Sequence, residues 1–275
     1  MGLENKLKLN NGNTIPQIGF GTWELTGKTC YDSVKFALES GIRHIDTASM
    51  YENEEDVGRA IRDSQLPREE LFITSKVWID EQGYDDTFAA YSRSLKKLGL
   101  DYLDLYLVHW PAKKTRLDTY RALEVLYKDK KVKNIGVSNY ILEHLTELEK
   151  HAEITPAVNQ LELHPFDYGL RKATIDYCFK KGIVVEAYRP LVKAKKNADP
   201  TLQRIAGKHD VSVAQVLIRW SLQKSFVVIP RSANPKHIRQ NIDVFGFELK
   251  DEEIAQLDSL NENLSSTRFS PEDFL

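Results

Sequence analysis

The chain has 275 residues, with 38 basic and 40 acidic side chains, so its formal net charge is −2. Hydrophobic residues make up 41% and charged residues 28%, which is typical of a globular protein rather than a disordered or fibrous one. The near-neutral charge argues against a nucleic-acid-binding protein, and no apolar run reaches the roughly 18 residues of a membrane-spanning helix. We therefore expect neither a nucleic acid nor a membrane as a partner.

Two further features bear on location. Residues 1–10 are polar and lack the apolar core of a secretion signal. The two cysteines, Cys30 and Cys178, are too few for a disulfide framework, and neither has a metal-ligand partner at short spacing. These features predict a cytoplasmic protein.

Short apolar segments alternate with longer segments of helical periodicity along the chain. Ahead of them, the polar turn within residues 6–17 predicts a β-hairpin. The predicted strands are 18–21, 44–46, 71–76, 103–109, 135–138, 157–160, 184–188 and 227–230. The predicted helices begin near Tyr31, Glu54, Asp86, Asp118, Leu142, Leu170, Ser212 and Lys236.

Eight strand–helix units in about 250 residues match the number and size of a closed (β/α)8 TIM barrel, an α/β fold. The strands are continuous Val/Ile/Leu runs, as expected for parallel strands buried on both faces. A doubly wound open sheet is the alternative. No composition break marks a linker, so we predict one barrel domain spanning residues 1–275, with the N-terminal hairpin covering its N-terminal end.

A barrel of this kind places its active site at the carboxyl ends of the strands. Here Asp46, Lys76 and His109 end the second, third and fourth predicted strands, and Tyr51 lies in the loop after Asp46. Taken singly, these side chains have ordinary explanations, namely a helix cap, a solvated lysine, a core histidine and a packed tyrosine. Their convergence on one bowl favours a shared catalytic role.

These four residue types suit one reaction. A lysine cation beside a tyrosine favours the phenolate and lowers the tyrosine pKa from its ordinary value near 10, which makes the tyrosine a general acid. An aspartate can hold that lysine, and a histidine can orient a carbonyl oxygen. The set predicts protonation of an alkoxide that forms as hydride adds to a carbonyl. No HExxH motif or histidine cluster indicates a metal.

Hydride transfer requires a nicotinamide cofactor. The sequence Gly19-Phe20-Gly21 begins like a dinucleotide-binding fingerprint but has Glu24 where the third glycine belongs. No P-loop pattern occurs. We therefore expect the cofactor to be held from several strand ends.

Several stretches resemble the aldo-keto reductase family in the family's order. They are 41–48 with 51–54, 98–105 running to 108–111, 136–139, 158–160, and 229–232 with Asn241. The resemblance implies a (β/α)8 barrel that reduces aldehydes and ketones with NADPH and without a metal. By motif position, Tyr51 would donate the proton, Lys76 and Asp46 would tune it, and His109 would orient the substrate carbonyl.

The resemblance also implies binding residues. Those expected at the cofactor are Thr22, Asp46, Ser138, Asn139, Gln160, Tyr188, Arg189, Leu191, Arg231, Ser232, Asn234, His237, Gln240 and Asn241. Ser138, Asn139 and Gln160 would bind the nicotinamide carboxamide, and Tyr188 would stack on its ring. Those expected at the substrate are Trp23, Trp78, His109 and Trp110.

Four departures from the family pattern affect the cofactor. Arg189 stands where serine is usual, and either contacts the pyrophosphate or points to solvent. The lysine-rich residues 192–197 form either a solvated loop or a basic lid. His237 and Gln240 replace a common Arg and Glu. Arg231 would contact the 2′-phosphate, so we expect NADPH to be preferred and NADH to be a weaker alternative. Since a histidine is charged only when protonated, this preference should be modest and should grow towards pH 6.

The sequence therefore predicts an NADPH-dependent reductase of small aldehydes, α-dicarbonyls or ketones. A small substrate is expected because the segment 110–118 and the tail 261–275 are short. One alternative is an NADPH-binding, redox-sensing barrel subunit with little turnover, and another is an unrelated phosphate-handling barrel enzyme. No heptad seam is present, so we expect a monomer.

Overall fold

The computed structural model describes residues 2–265, 267 and 269–275. It begins with an antiparallel hairpin of β1 (Lys6–Lys8) and β2 (Thr14–Pro16), turned through Gly12 at φ 91°. A positive φ of this size favours glycine. Leu9 and Ile15 of this hairpin pack against first residues of later strands, namely Phe72, Leu105, Val158 and Val227. The predicted hairpin is therefore present and covers the amino ends of the strands.

An eight-stranded parallel sheet follows. Its strands are β3 (Phe20–Gly21), β4 (His44–Asp46), β5 (Phe72–Val77), β6 (Leu105–Val108), β7 (Ile135–Ser138), β8 (Val158–Glu162), β9 (Val184–Tyr188) and β10 (Val227–Val228). Each strand pairs with the next one in the chain. A doubly wound sheet would reverse its strand order at a switch point. This sheet does not, so the alternative of a doubly wound open sheet is wrong.

Backbone bonds also join the first and last strand regions of this sheet. Ile18 and Val228 form a parallel bridge. The Gly19 N–H donates to the Val228 carbonyl at 2.9 Å, and the Val228 N–H donates to the Gln17 carbonyl at 3.0 Å. Further along, the Gly21 N–H donates to the Pro230 carbonyl at 3.3 Å. The sheet therefore curls until β10 lies beside the residues that lead into β3.

At least one helix follows each strand of this sheet. The helices are α1 (Gly27–Glu39), α2 (Glu54–Asp63), α3 (Tyr84–Leu98), α4 (Arg116–Lys128), α5 (Leu142–Glu149), α6 (Tyr168–Lys180), α7 (Pro200–His209), α8 (Val213–Gln223), α9 (Pro235–Ile242) and α10 (Asp251–Asp258). The eight predicted helix starts lie close to those of the corresponding helices. The strand–helix alternation in the sequence predicts neither α7 nor α10, because it indicates one helix per strand.

Helix α7 nevertheless carries a local start signal. The Asp199 carboxylate accepts hydrogen bonds from the Thr201 and Leu202 N–H groups, and Pro200 occupies the first helical position. Proline suits that position because its missing N–H has no partner to lose there. The main core lies between the sheet and the helices, where Val34, Leu123 and Trp220 are fully buried.

Within the described part of the chain, no helix is long and apolar enough to cross a bilayer. No cluster of three or more His, Cys, Asp or Glu side chains in that part is arranged to hold a metal ion. Cys30 and Cys178 are both free and buried.

Candidate active site

A cavity of about 580 Å³ opens at the carboxyl ends of the strands. Fourteen of the predicted site residues line it, namely Trp23, Asp46, Tyr51, Trp78, His109, Trp110, Ser138, Asn139, Gln160, Tyr188, Arg189, Leu191, Arg231 and His237. The loop after β9 adds Lys193 and Ala194, and the C-terminal tail adds Thr267 and Phe269. The parallel strand order thus brings residues from distant parts of the sequence to one wall.

Lys76 lies fully buried beneath the cavity floor. Its Nζ atom donates to Asp46 Oδ1 at 2.7 Å, to the Thr47 carbonyl at 2.9 Å and to the Tyr51 hydroxyl at 3.3 Å. The turn Ser49–Tyr51 carries Tyr51, and the Ser49 hydroxyl fastens this turn by donating to the Lys76 carbonyl at 3.1 Å. One buried cation therefore contacts both Asp46 and Tyr51.

Burial and charge act against each other in this group. Burial alone would lower the pKa of Lys76, but Asp46 and Tyr51 raise it above its ordinary value, so the ammonium is retained. Burial raises the pKa of Tyr51, and Lys76 lowers it without cancelling that effect. The expected tyrosine pKa below 10 is therefore wrong for this structure. The hydroxyl keeps its proton, which is the state that a proton donor needs.

His109 and two tryptophans surround Tyr51. The His109 ring centroid lies 5.6 Å from that of Tyr51 and 5.0 Å from that of Trp78, and Trp23 lies 4.8 Å from Tyr51. Burial, and then the Lys76 charge, hold the pKa of His109 well below its ordinary value. The imidazole is therefore neutral and can donate one N–H hydrogen bond.

Polar side chains from β7, β8 and β9 form the next part of the wall. Asn139 adopts a positive φ of 63°, a conformation that asparagine tolerates better than most residues. Its Nδ2 donates to the His109 carbonyl at 2.9 Å, and its Oδ1 accepts from the Tyr188 hydroxyl at 2.7 Å. The Ser138 hydroxyl donates to the Gln160 carbonyl at 3.0 Å. These bonds fix Asn139 and Tyr188 relative to His109.

Two acidic residues near this wall are not among the predicted site residues. Glu186 of β9 is fully buried and accepts a hydrogen bond from Gln160 Nε2 at 2.7 Å. Its signal in the sequence is a single carboxylate inside the apolar strand Val184–Tyr188. Glu24 lies in the loop after β3 and accepts from Lys193 Nζ at 3.1 Å, while its other oxygen lies 3.2 Å from Arg231. Neither contact is visible from sequence spacing.

Five predicted cofactor-binding residues are not among the described residues that line the cavity. They are Thr22, Ser232, Asn234, Gln240 and Asn241. The Thr22 hydroxyl donates to the Asp46 carbonyl at 2.9 Å. Near Arg231, the Asn234 side chain caps the start of α9 by accepting from the Lys236 N–H at 2.9 Å.

The residues present fit a dinucleotide phosphate. Gln160 lines the cavity, and its Oε1 forms no hydrogen bond to residues 2–265, 267 or 269–275, so it is available to accept one. Elsewhere on the wall Arg231 offers the forked donors that suit a phosphate, and the aromatic Tyr188 lies on the same wall as Gln160. The cavity therefore combines an amide acceptor, an aromatic face and a cation.

Comparisons with known proteins agree on one family. A profile of the Aldo/keto reductase family matches residues 17–262. The chain is 49% identical to glyoxal reductase of Bacillus subtilis, over 95% of this chain and 94% of that protein. It is 47% identical to an aldo-keto reductase from a Medee basin deep-sea metagenome library, with a TM-score of 0.91 over 95% of this chain and 97% of that chain. It is 35% identical to a Bombyx mori aldo-keto reductase solved in complex with NADP, with a TM-score of 0.90 over 96% and 95% of the two chains. The resemblance in the sequence is thus confirmed, and the chain belongs to the aldo/keto reductase family of oxidoreductases.

Proposed function

We propose that this enzyme reduces small aldehydes, α-dicarbonyls or ketones to alcohols with NADPH, and that Tyr51 donates the proton. The observation that carries this proposal is the position of Lys76 Nζ, which lies within hydrogen-bond distance of Asp46 and of the Tyr51 hydroxyl at the cavity floor. When bound, NADPH supplies the hydride.

The residues of the chain supply the remaining chemistry. The Tyr51 hydroxyl gives its proton to the carbonyl oxygen as negative charge develops there. Lys76 stabilises the phenolate that remains, and Asp46 holds Lys76 in place and charged. His109 is neutral, so its N–H can orient the carbonyl oxygen without giving up its proton.

NADPH is the proposed cofactor, with NADH as a weaker alternative. The proposal is supported by the NADP complex of the Bombyx mori relative. In this chain, Ser138, Asn139 and Gln160 would bind the carboxamide, and Tyr188 would stack on the ring. Arg231 would bind the 2′-phosphate. The other proposed contacts are Thr22, Asp46, Arg189, Leu191, Ser232, Asn234, His237, Gln240 and Asn241. No metal is proposed to take part.

Small substrates fit the walls of the cavity. Trp23, Trp78 and Trp110 line it, and Phe269 of the C-terminal tail lies 5.7 Å from Trp110 between ring centroids. Trp23 contacts Tyr51 and Trp78 contacts His109, and together with Trp110 and Phe269 they give the cavity apolar walls suited to a short carbon chain. The glyoxal reductase of Bacillus subtilis supports α-dicarbonyls as one substrate class.

We also propose that the eight strands close into a barrel, which the bonds between Gly19 and Val228 support. We propose that residues 1–275 form one domain, supported by the family match over residues 17–262. A reducing, cytoplasmic location is proposed from the two free, buried thiols.

One assay tests the activity. The purified protein is mixed with NADPH and a panel comprising glyoxal, methylglyoxal, short aldehydes and a steroid ketone, and nicotinamide absorbance is followed. We expect turnover of several small carbonyl compounds. Tight NADPH binding without turnover of any of them would favour the redox-sensing alternative. Turnover of the steroid ketone alone would refute the proposed substrate class.

A further inference from the structure

Glu186 belongs to a hydrogen-bonded group with Gln160 and Asp46 at the cavity wall. Gln160 Nε2 donates to Asp46 Oδ2 at 2.8 Å and to Glu186 Oε2 at 2.7 Å. A side-chain amide nitrogen carries two hydrogens, and both are used by these two carboxyl groups. All three side chains are buried.

This arrangement determines which way the Gln160 amide faces. Turning the amide over would place its oxygen against the Asp46 carboxylate, and it would take both amide hydrogens away from Asp46 and Glu186. An unpaired contact of this kind is costly when it is buried. Gln160 therefore presents Oε1, which can only accept, to the cavity.

The surroundings of Glu186 explain how a second carboxyl group is tolerated beside Asp46. Burial, together with the Asp46 charge, raises the pKa of Glu186 to about 8, so the group is largely protonated at neutral pH. Its Oε1 lies 3.5 Å from His44 Nε2, which also lies 3.2 Å from the Thr74 hydroxyl. Burial, and then Lys76, lower the pKa of His44 to about 3, so this imidazole is neutral and can accept a hydrogen bond. A protonated Glu186 therefore accepts from Gln160 without placing a second negative charge beside Asp46.

We propose that Glu186 is a positioning residue for the cofactor. By accepting from Gln160 Nε2 alongside Asp46, it holds Gln160 Oε1 in place as the acceptor for the N–H of the nicotinamide carboxamide. This inference rests on the proposed use of NADPH.

The test compares two variants by binding measurements. In Glu186→Leu the carboxyl acceptor is lost. In Glu186→Gln the side-chain oxygen can still accept from Gln160. Dissociation constants are measured for three probes: NADP⁺, its 3-acetylpyridine analogue, and 2′-phospho-ADP-ribose. The analogue has a methyl group in place of the amide nitrogen, and the third probe lacks the nicotinamide.

The parent protein should bind NADP⁺ roughly threefold to tenfold more tightly than the acetylpyridine analogue, the range for one neutral hydrogen bond. Glu186→Leu should lose this discrimination, because its NADP⁺ affinity falls while its affinity for the analogue changes little. Its affinity for 2′-phospho-ADP-ribose should match that of the parent. Glu186→Gln should keep both the affinity and the discrimination.

Three results would overturn the inference. The first is full discrimination retained in Glu186→Leu. The second is an equal loss of affinity for all three probes, which indicates general damage to the site. The third is a parent protein that binds NADP⁺ and its analogue equally well, a result that is obtained even if Glu186→Leu does not fold. A parent that does not bind NADPH would instead remove the proposed function, and the inference with it.

Discussion

Lys76 shows how a single buried charge can hold several polar groups together. Its ammonium is fully buried and contacts three oxygen atoms, from Asp46, Thr47 and Tyr51. Without such partners, burial would lower the pKa of the ammonium group, and the group would lose its proton. Asp46 is therefore needed to keep Lys76 charged, and in the proposed reaction Lys76 would stabilise the Tyr51 phenolate.

Replacing Tyr51 by phenylalanine tests this role. Tyr51→Phe removes one hydroxyl and keeps the ring that packs against Trp23 and His109. We expect turnover to fall by roughly 10²-fold or more, the range for loss of a general acid, because no proton reaches the alkoxide. NADPH affinity should stay near that of the parent. Steady-state rates and fluorescence titrations measure the two quantities. Near-normal turnover would rule out Tyr51 as the proton donor.

Replacing Arg231 tests recognition of the 2′-phosphate. Arg231→Ala should reduce NADPH affinity by about 1.5–3 kcal/mol, the range for a hydrogen bond to a charged group. The effect on NADH should be small, because NADH lacks that phosphate. Glu24 lies 3.2 Å from the Arg231 guanidinium and would share it with the phosphate, which places the expected loss towards the lower value.

Arg239→Ala is the matched control for Arg231→Ala. Arg239 lies nearby on α9 but packs over the Phe36 ring, 5.1 Å from its centroid, and is not among the described residues that line the cavity. Titrations of Arg231→Ala and Arg239→Ala with NADPH and with NADH measure the change in affinity for each cofactor. Equal losses for NADH and NADPH in Arg231→Ala would show that Arg231 does not read the 2′-phosphate.

At the scale of elements, Gly58 allows helix α2 to approach the end of α3. A Cβ atom at position 58 would lie 2.3 Å from the Leu98 carbonyl oxygen. Alanine usually stabilises a helix interior relative to glycine by about 0.5–1 kcal/mol. Here the steric clash outweighs that gain, so Gly58→Ala should lower the free energy of unfolding by roughly 1–3 kcal/mol.

Gly207 provides the opposite case. It lies inside α7, and beyond the adjacent backbone of that helix a Cβ atom there would meet no described atom within 4 Å. Gly207→Ala should therefore raise the free energy of unfolding by up to about 1 kcal/mol. Urea unfolding of both variants measures these values. Two stabilising alanines would contradict the close packing of α2 on α3.

Glu253 joins α10 to α7 and gives the stability a pH dependence. Burial alone would raise the pKa of Glu253, but hydrogen bonds from Lys208, the Lys250 N–H and His209 lower it from 4.5 to about 2. A carboxyl group with a lowered pKa in the folded state contributes stability above about pH 4.5. That contribution is lost as the pH falls from 4.5 to 2.

Removing the Glu253 charge should therefore flatten the acid side of the stability curve. Glu253→Gln should cost on the order of 1–3 kcal/mol at pH 7 and progressively less as the pH approaches 2. The exposed Glu252 of the same helix supplies the control, Glu252→Gln. Unfolding free energies between pH 2 and 7 measure the difference. A constant difference between Glu253→Gln and the parent across this range would refute the assignment.

The sequence predicts an element accurately when the residues that determine the element are neighbours in the chain. Strands β7 (Ile135–Ser138) and β9 (Val184–Tyr188) have the predicted bounds, because an apolar run bounded by polar residues is a local signal. Strand β10 ends two residues earlier than predicted, before Pro230, which has no N–H to pair. The contacts of Glu186 with Gln160 and of Glu24 with Arg231 depend on distances between separate strands and loops, which no local pattern contains.

At the scale of the whole molecule, the candidate active site and the N-terminal hairpin lie at opposite ends of the parallel sheet. The carboxyl ends of the parallel strands supply Asp46, Ser138 and Tyr188 to the cavity. At the amino ends, Leu9 and Ile15 of the hairpin pack against the first residues of several strands. Changes in the hairpin should therefore affect stability more than activity, as is general for the two ends of such folds.

The outer surface bears on the assembly of the molecule. The described large hydrophobic side chains that are well exposed are Tyr84, Leu170, Phe179 and Leu275, each 40–48% exposed. They belong to the start of α3, the two ends of α6 and the C-terminus. Two of them already pack within the chain, since Tyr84 contacts Phe88 and Phe179 stacks on Phe226.

This distribution predicts a monomer. A stable dimer usually buries about 1,200–2,000 Å² in total, with a contiguous apolar centre. Single side chains on α3, at the two ends of α6 and at the C-terminus do not supply one. Light scattering coupled to size-exclusion chromatography should therefore give 31.6 kDa at micromolar concentration, with no change on dilution. A mass twice that value would contradict the prediction. Phe179→Ser and Leu170→Ser would then identify the face involved, because the variant on the interface would restore the mass of one chain.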